Sequence, residues 1–313
     1  MRIVIALGGN ALQKGNDVSP SQQLQVCRKT VKNIVNLVRE EHDIAVVHGN
    51  GPQVGELIAV SETAHKADKT RILYPLDICT AFTQGYIGYH LQNTLNDELH
   101  NAGIDKKSAT IITQVEVHED DPAFKSPSKP IGRFYTEEEA KKLMKSEGFS
   151  MIEDAGRGWR RVVPSPKPLS IVEKDIIEYI FKGGNIAISC GGGGIPVVKR
   201  NDIYKGIEGV IDKDYAAAKL AELLKADILM ILTDVDQVDI NFNKPNQTAL
   251  HNISSRELDK YIEEGQFGKG SMLPKVLASK SFVESGDNKK AIITSLSRAN
   301  EAIKGEAGTC IHG

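Results

Sequence analysis

IVIALGGN at residues 3–10 and IAVVHGNG at residues 44–51 are the two stretches that decide the fold of this chain. Each begins with an unbroken apolar run, which predicts a strand buried on both faces, and each ends in glycine. Between them, Ser19 and Pro20 predict the N-cap and first turn of a helix. One apolar helical stripe follows, formed by Leu24, Cys27, Val31, Ile34 and Val38. The order strand, glycine turn, helix, strand predicts an α/β fold with parallel strands.

Four further apolar segments extend this pattern along the chain. They span residues 110–115, 186–190, 228–233 and 291–294, and helices are predicted between most of them. A helix is also expected to begin at Gln53, directly after the second glycine turn. The chain therefore predicts a large and mostly parallel sheet.

Three Ser/Thr-x-x-Glu patterns predict helix starts, because the hydroxyl and the carboxylate cap backbone N–H groups reciprocally. Those at residues 170–173 and 254–257 predict helices that end near Gly183 and Gly265 respectively. The third, at residues 136–139, predicts a short helix in an otherwise irregular segment.

This irregular segment, residues 118–168, interrupts the alternation of strands and helices. Six of the 12 prolines lie there, at positions 122, 127, 130, 164, 166 and 168. Because proline neither continues a helix nor donates to a strand ladder, the segment predicts an excursion from the sheet, interpreted as a mobile lid. Its basic turn at residues 156–161, GRGWRR, is either a solvated tip or an anion contact.

Composition and charge exclude several classes of protein. The 313 residues carry 39 Lys and Arg against 41 Asp and Glu, a formal net charge of −2, so nucleic acid is not an expected partner. The apolar run after Met1 is much shorter than the roughly 20 residues of a membrane helix, so no membrane contact is expected. The four cysteines have no zinc-site spacing, which predicts a reduced, cytoplasmic protein. Cys190 is interpreted as an inert core residue.

Three predicted strands end in glycine-rich turns, at residues 8–10, 49–51 and 191–194. Ligands of open α/β sheets bind at the carboxyl ends of strands, and glycine lets backbone N–H groups approach an anion closely. Each turn alone is equally well explained as a tight connection. Three of them in one sheet favour a phosphate site, because turn geometry rarely needs more than one or two glycines.

Known phosphate motifs do not explain these turns. The Walker pattern Gly-x-x-x-x-Gly-Lys-Ser/Thr does not occur in the sequence. Gly49-x-Gly51-x-x-x-Gly55 has one residue more than the dinucleotide fingerprint, and Pro52 lacks an N–H that such a turn would use. A dinucleotide oxidoreductase stays a rival interpretation. If the protein binds a nucleotide, it does so through a loop that differs from both of these motifs.

Three lysines are candidates for stabilising a transferred phosphoryl group, which needs positive charge near its oxygens. Lys213 precedes a predicted helix, where a cation is poorly matched to the helix dipole, and Asp214 could hold its ammonium group. Lys275 follows Pro274, which fits a first helical position, and Lys129 lies in the proline-rich excursion. The alternative for each lysine is a solvated surface charge.

Two other polar features lie next to predicted strands. TDVD at residues 233–236 is interpreted as a nucleotide-contacting loop, although an aspartate after a strand is also a common turn residue. His48 is interpreted as a hydrogen-bonded structural residue rather than a substrate contact. No residue is assigned as a metal ligand.

The chain resembles the carbamate kinase family of the amino acid kinase superfamily along essentially its whole length. The quoted motifs are ALGGNA at 6–11, HGNGPQVG at 48–55, KPIG at 129–132, EDAGRGWR at 153–160, VPSP at 163–166, SCGGGGIP at 189–196, IDKD at 211–214 and GSMLPK at 270–275. Gly-Gly-Asn is shared with sibling kinases, whereas the proline-bounded excursion and Gly-Arg-Gly-Trp-Arg are much more specific.

This resemblance implies a three-layer αβα sandwich with a central, mainly parallel sheet and a protruding lid subdomain at residues 118–168. Residues 1–313 would be a single amino acid kinase domain, with a carbamate-binding lobe at 1–217 and a nucleotide-binding lobe at 218–313. It implies reversible phosphoryl transfer between ATP and carbamate, giving carbamoyl phosphate and ADP with Mg²⁺. The protein would be a cytoplasmic homodimer. Family membership suggests that it forms ATP during arginine catabolism, and carbamoyl phosphate synthesis by related enzymes leaves the direction open.

The resemblance also implies roles for individual residues. Lys213 and Lys275 would stabilise the moving phosphoryl group, Asp214 would orient them, and Lys129 would reach the carbamoyl group. The nucleotide contacts would be Gly8, Gly9, Asn10, Thr233, Asp234, Val235 and Met272, and the substrate contacts Gly49, Asn50, Gly51, Gly191, Gly192 and Gly193. Carbamate oxygen is already an anionic nucleophile, so no general base is required.

Two alternatives keep the same fold. A sibling kinase would phosphorylate another carboxylate or a nucleoside monophosphate, and the protruding segment speaks against it. A sensor would bind a nucleotide or carbamoyl phosphate without turnover, and the three lysines speak against that, because binding alone does not need a cation for each stage of transfer.

Overall fold

The computed structural model describes residues 1–13, 19–154 and 156–313, with the side chain of Asn10 left outside the description. In chain order these residues form β1 (Arg2–Leu7), α1 (Pro20–Arg39), β2 (Asp43–His48), α2 (Gly51–Ala67), α3 (Leu76–Asn101), β3 (Ser108–Thr110), β4 (Gln114–Val117), β5 (Lys129–Tyr135), α4 (Glu137–Glu147), β6 (Ser150–Glu153), β7 (Trp159–Val163), β8 (Pro168–Ile171), α5 (Lys174–Lys182), β9 (Ile186–Ser189), β10 (Ile195–Arg200), β11 (Ile203–Gly206), α6 (Lys213–Leu223), β12 (Ile228–Thr233), β13 (Val238–Ile240), β14 (Thr248–Leu250), β15 (Asn252–Ser254), α7 (Ser255–Glu263), α8 (Met272–Val283), β16 (Lys290–Ser295), α9 (Ala299–Ile303) and β17 (Thr309–His312). Short 3-10 helices lie at Gly9–Ala11, Pro122–Phe124, Gly191–Gly193 and Leu296–Arg298.

The central sheet has eight strands in the order β15-β17-β16-β12-β1-β2-β9-β3. Neighbouring strands run parallel except β16 and β17, which are antiparallel. β1 lies inside the sheet, with Leu7 opposite His48 of β2 on one side and opposite Leu232 of β12 on the other. The carboxyl ends of these three central strands therefore lie side by side, and the turns predicted to bind a ligand begin there.

Helices cover both faces of this sheet. Val4 and Ala6 of β1 belong to the core that contains α5, α6, α7 and α8. Ile3 and Ile5 belong to the opposite core, which contains α1, α3 and α9. Alternate strand residues point to opposite faces, so an apolar strand feeds both layers. The expected three-layer αβα sandwich with a mainly parallel sheet is confirmed.

One predicted strand is wrong, because residues 110–115 divide between two sheets. β3 ends at Thr110 in the central sheet, whereas β4 begins at Gln114 in a four-stranded sheet ordered β11-β10-β4-β8. Thr113 lies at the break, and its backbone N–H donates to Oε1 of Gln84 on α3 at 2.8 Å. The Gln84 side chain thus accepts a backbone hydrogen bond that a neighbouring strand would accept in a continuous sheet.

The predicted helix starts had mixed outcomes. The capping boxes at residues 136–139 and 254–257 are confirmed. The box at residues 170–173 is wrong, because its serine lies in β8 and α5 begins after it. The Glu173 carboxylate instead accepts from the backbone N–H and side-chain amide of Gln114 on β4, at 2.8 and 2.9 Å.

α2 and α8 each begin two residues earlier than predicted. α2 starts at Gly51 rather than Gln53, and α8 starts at Met272, so Pro274 is its third residue rather than its first. Proline is tolerated in a first helical turn because those N–H groups have no partner within the helix.

A small antiparallel sheet, ordered β5-β7-β6, lies within the proline-rich segment and packs with α4. It contacts the main body at α2, where the backbone of Gly132 lies beside Gly55. Its role as a lid stays a prediction. The predicted lobe boundary between residues 217 and 218 falls inside α6, and the division into two lobes also stays a prediction. Among the described residues, the helices are too short or too polar to cross a membrane.

Candidate active site

A cavity of about 440 Å³ lies at the carboxyl ends of strands β1, β2 and β12. Most of the predicted site residues line it: Gly8, Gly9, Gly49, Asn50, Gly51, Lys129, Gly192, Lys213, Asp214, Thr233, Asp234 and Lys275. Gly191, Gly193, Val235 and Met272 lie outside this lining, and nothing is described for the side chain of Asn10. Residues from the whole length of the chain thus converge on one cavity.

Asp214 holds two of the lysines together. Its Oδ1 accepts from Nζ of Lys213 at 2.5 Å, and its Oδ2 accepts from Nζ of Lys275 at 2.9 Å. Lys213 and Asp214 are the first two residues of α6, and Lys275 lies in the first turn of α8. Because α6 and α8 pack on the same face of the sheet, one carboxylate fixes the position of two ammonium groups.

Burial strengthens this arrangement. The Asp214 side chain is 4% exposed, and each of the two lysine side chains is 15% exposed. Burial alone would raise the pKa of Asp214, but the ammonium charges of Lys213 and Lys275 outweigh it and lower that pKa to about 2. Burial lowers the pKa of Lys213, whereas at Lys275 the opposing charge of Asp214 outweighs burial and raises the pKa. Asp214 is therefore ionised at neutral pH.

Lys129 reaches the cavity from the small antiparallel sheet. It is the first residue of β5, and its Nζ donates to Oδ2 of Asp212 at 2.6 Å. Asp212 is the N-cap of α6, and its Oδ1 accepts from the backbone N–H of Asp214 at 2.9 Å. The cavity is thus lined by three lysines and three aspartates, Asp212, Asp214 and Asp234, and its ammonium groups are the positive charges available to an anionic ligand.

The turn after β1 places backbone groups at the cavity wall. Gly8 donates its N–H to the carbonyl of Leu232 on β12 at 3.0 Å, and a Cβ at Gly8 would lie 2.9 Å from the same oxygen. Gly9 has no atom within 4 Å of where a Cβ would be. Glycine at position 8 therefore lets two strand ends approach, and Gly9 presents open backbone to the cavity.

The turn after β2 leads directly into α2. Asn50 precedes the helix, and its Nδ2 donates to Oγ1 of Thr83 on α3 at 2.9 Å. A Cβ at Gly49 would touch the side chain of Lys213 at 3.4 Å, whereas Gly51 has open space around it. The N-terminus of α2 lines the cavity, and its unpaired N–H groups and partial positive charge suit an anion.

The run Gly191–Gly194 is packed against the protein itself. A Cβ at each position would lie closer than 3.0 Å to a neighbouring atom: His48 Nε2 for Gly191, Asn50 Nδ2 for Gly192, the Ile211 carbonyl for Gly193 and Val115 Cγ2 for Gly194. Gly191 and Gly193 are therefore held behind the cavity wall by these neighbours, and Gly192 is the member of the run that lines the cavity.

The interpretations of His48 and Cys190 agree with their surroundings. His48 is buried, and its Nδ1 donates to the carbonyl of Gly49 at 2.9 Å. Burial lowers the pKa of His48 to about 4, so the ring is neutral at physiological pH. Cys190 is buried and free, and burial raises the pKa of its thiol to about 12. Neither group has the accessibility or charge of a reacting group.

Comparison with known proteins identifies the family. A sequence model of the amino acid kinase family matches residues 1–295. The chain belongs to the amino acid kinase family. It is 58% identical over 312 residues to a carbamate kinase of Clostridium perfringens, covering 99% of both chains. It is 48% identical over 312 residues to carbamate kinase 3 of Staphylococcus aureus, again over 99% of both.

A solved structure of the same family agrees. The structure of carbamate kinase from Giardia lamblia bound to AMP-PNP superimposes with a TM-score of 0.91 at 39% identity, covering 99% of this chain and 98% of that one. Identity and coverage at this level place the chain among the carbamate kinases of the amino acid kinase family. The resemblance stated from the sequence motifs is confirmed.

Two residues of this amino acid kinase site had no role assigned from sequence. Asp212 stands inside the quoted motif at residues 211–214, and its position before a helix was the available signal. Gln84 gave no signal, because its function depends on tertiary structure: its amide bridges the carbonyls of Thr113 and Gly191, each at 3.1 Å. It holds the glycine run against the break between β3 and β4.

Proposed function

We propose that this chain catalyses reversible phosphoryl transfer between ATP and carbamate, giving carbamoyl phosphate and ADP. The observation that carries the proposal is the pair of largely buried ammonium groups, Lys213 and Lys275, fixed by Asp214 beside two strand-end glycine turns. Phosphoryl transfer depends mainly on positioning and on positive charge at the phosphoryl oxygens, and this cavity supplies both.

The two sides of the cavity suit different reactants. The turn at Gly8 and Gly9, together with Thr233 and Asp234 at the end of β12, would hold the nucleotide. Residues 49–51, at the start of α2, would hold the acceptor with Lys129. Lys213 lies beside Gly49, so its ammonium group is at the boundary between the two sides.

The reaction needs no proton transfer. A carboxylate oxygen of carbamate attacks the γ-phosphorus of ATP, the new P–O bond forms, and the bond to the β,γ-bridging oxygen breaks to release ADP. Lys213 and Lys275 neutralise the negative charge that spreads over the transferred oxygens. A histidine base is not required, in keeping with the buried, neutral state of His48.

Mg²⁺ belongs to this proposal as the companion of the nucleotide, whose phosphates it neutralises. Across residues 1–13, 19–154 and 156–313, no three His, Cys, Asp or Glu side chains form a group that could hold a metal ion. Asp212 and Asp214 are both paired with lysines. Because Mg²⁺ often binds mainly through phosphates and water, we assign it no protein ligand and no step.

The proposal includes a homodimer, a cytoplasmic location and an ATP-forming role in arginine catabolism, all implied by the family. Exposed apolar side chains on α2 and α3 support the dimer, among them Val60, Phe82 and Tyr89. Sedimentation equilibrium tests it directly: a dimer has twice the 34.2 kDa mass of the chain, and a mass equal to that of one chain would contradict it.

The test of the activity is ATP formation from ADP and carbamoyl phosphate with Mg²⁺, measured by coupling ATP to a reporter enzyme. Lys275→Met should lower kcat by about 100- to 1000-fold, the scale on which loss of one transition-state contact is measured. The exposed Lys260→Met on α7 is the matched control and should retain normal turnover.

The other outcomes would replace the proposal. Turnover with a different carboxylate or a nucleoside monophosphate, and none with carbamate, would make the protein a sibling kinase. Tight binding of ADP or carbamoyl phosphate by folded protein without turnover would make it a sensor. Near-normal kcat in Lys275→Met would remove the role given to that lysine.

A further inference from the structure

Asp212 uses its two carboxylate oxygens for two separate parts of the molecule. Oδ1 accepts from the backbone N–H of Asp214 at 2.9 Å, which caps α6. Oδ2 accepts from Nζ of Lys129 at 2.6 Å, although the two residues are 83 positions apart. One side chain therefore connects the small antiparallel sheet to the helix that begins with Lys213 and Asp214.

The surroundings remove this ion pair from part of the solvent that weakens pairs on the surface. The Asp212 side chain is 12% exposed and that of Lys129 is 34% exposed, and both line the cavity. Lys213 and Lys275 share Asp214, whereas within the described part of the chain the carboxylate paired with Lys129 is Asp212. A charged hydrogen bond at this depth orients a flexible ammonium group that would otherwise sample many positions.

We propose that Asp212 is a positioning residue for the transfer. It places Lys129 over the acceptor side of the cavity and fixes its distance from the N-terminal turn of α6. Because the same carboxylate caps α6, the ammonium group of Lys129, on the acceptor side, keeps a fixed position relative to Lys213, which contacts the transferred phosphoryl group. This inference rests on the proposed function and adds to it a residue that acts through Lys129.

Asp212→Asn separates the two roles of this side chain. Asparagine caps helices as well as aspartate does, so the bond to the Asp214 N–H and the start of α6 are retained. The negative charge facing Lys129 is lost; because the same charge also favours the charged forms of Lys213 and Lys275, KM for carbamoyl phosphate rather than kcat reports on Lys129. We expect KM for carbamoyl phosphate to rise about 10- to 100-fold, in line with the loss of one charged hydrogen bond, while KM for ADP changes less than about twofold.

A double-mutant cycle with Lys129→Met shows whether Asp212 acts through that lysine. Once Lys129 is gone, Asp212→Asn should have no further effect on KM for carbamoyl phosphate, so the double variant should match Lys129→Met in that KM within about twofold. A purely structural role would give independent, multiplicative losses. Thermal unfolding of each variant checks the fold, and Asp212→Ser, which also caps a helix without a charge, serves if the asparagine variant does not fold.

The outcomes are separable. An unchanged or lower KM for carbamoyl phosphate in Asp212→Asn would overturn the inference, because Asp212 would then be neutral or in competition with the substrate for Lys129. Multiplicative losses in the double variant would overturn it as well. Absence of turnover in the wild-type protein would instead contradict the proposed function itself.

Discussion

The turns after β1 and β2 and the run after β9 are all rich in glycine, yet different atoms surround them. At Gly9 and Gly51 the space that a Cβ would occupy is open, and both residues line the cavity. At Gly192 and Gly193 that space is filled by Asn50 and by the carbonyl of Ile211. Gly9 and Gly51 leave room for a ligand, whereas Gly192 and Gly193, like Gly8 in the first turn, leave room for the protein's own atoms.

This difference shows that a glycine cluster has two physical explanations. A missing Cβ allows a ligand to approach backbone N–H groups, or it allows another part of the chain to pack closely. In the run, the close packing brings Asn50 and the chain before α6 to their positions at the cavity. Apart from Gly192, which lines the cavity, the glycines of the run thus support the site from behind, and the turns after β1 and β2 face it.

The largest effect is expected for Gly193→Ala. Its φ of +94° is unfavourable for alanine, and the new Cβ would overlap the Ile211 carbonyl, a backbone atom that no rotamer change can move away. We expect a loss of more than about 4 kcal/mol in the free energy of unfolding, measured with urea, or failure to fold. Gly265→Ala is the control, because it has a similar φ of +67° in open space and should cost only about 1 kcal/mol. Equal losses would contradict the packing explanation.

An intermediate effect is expected at His48, which lies against the run. Its pKa falls from 6.5 to about 4 in the folded protein, so on acidification the unfolded chain binds a proton first. The free energy of unfolding should therefore decrease between pH 6.5 and about 4, by on the order of 3 kcal/mol from this group.

His48→Gln should remove that part of the pH dependence, and His118→Gln, at an exposed position, should keep it. The measurement is urea unfolding across the pH range for the three proteins. If His48→Gln unfolds with the same pH slope as the wild-type protein, His48 does not titrate as its burial requires.

The smallest effect on stability is expected for Gly9→Ala. Gly9 has open space and a φ outside the left-handed region, so the free energy of unfolding should change by less than about 0.5 kcal/mol. The added methyl group would stand between the backbone and the phosphates, and KM for ADP should rise about 10-fold. Gly85→Ala on α3, also in open space but away from the cavity, should leave KM unchanged. A stable Gly9→Ala variant with normal KM would show that this turn does not face the nucleotide.

Local sequence patterns predicted much of this fold. They failed where contacts with residues distant in sequence determine the secondary structure. The strand at residues 228–233 and the positions of Lys213 and Lys275 at helix starts follow from apolar runs and helix signals that lie within a few residues. The break in the strand at residues 110–115 depends on Gln84 of α3. The failed capping box depends on Gln114, which draws the Glu173 carboxylate away.

The candidate site divides in the same way. Lys129, Lys213, Asp214 and Lys275 were identified from motifs, because each motif is continuous in sequence, whereas the role of Asp212 was not. Lys129 pairs with Asp212, 83 positions away, and Gly193 packs against Ile211, from which the β10–β11 hairpin separates it. Such contacts depend on how sheets and helices assemble, and no local spacing encodes them.

The position of β1 has a consequence for how the protein is made. Its two partners are β2, which follows closely, and β12, which begins at Ile228. At about 5–20 residues per second, a ribosome needs roughly 10–50 seconds to deliver β12 after β1. During that interval one edge of β1, which is apolar from Ile3 to Leu7, has no partner, and this exposes the nascent chain to aggregation. The cavity borders both β1 and β12, so it is completed only late in synthesis, and truncated chains should be inactive.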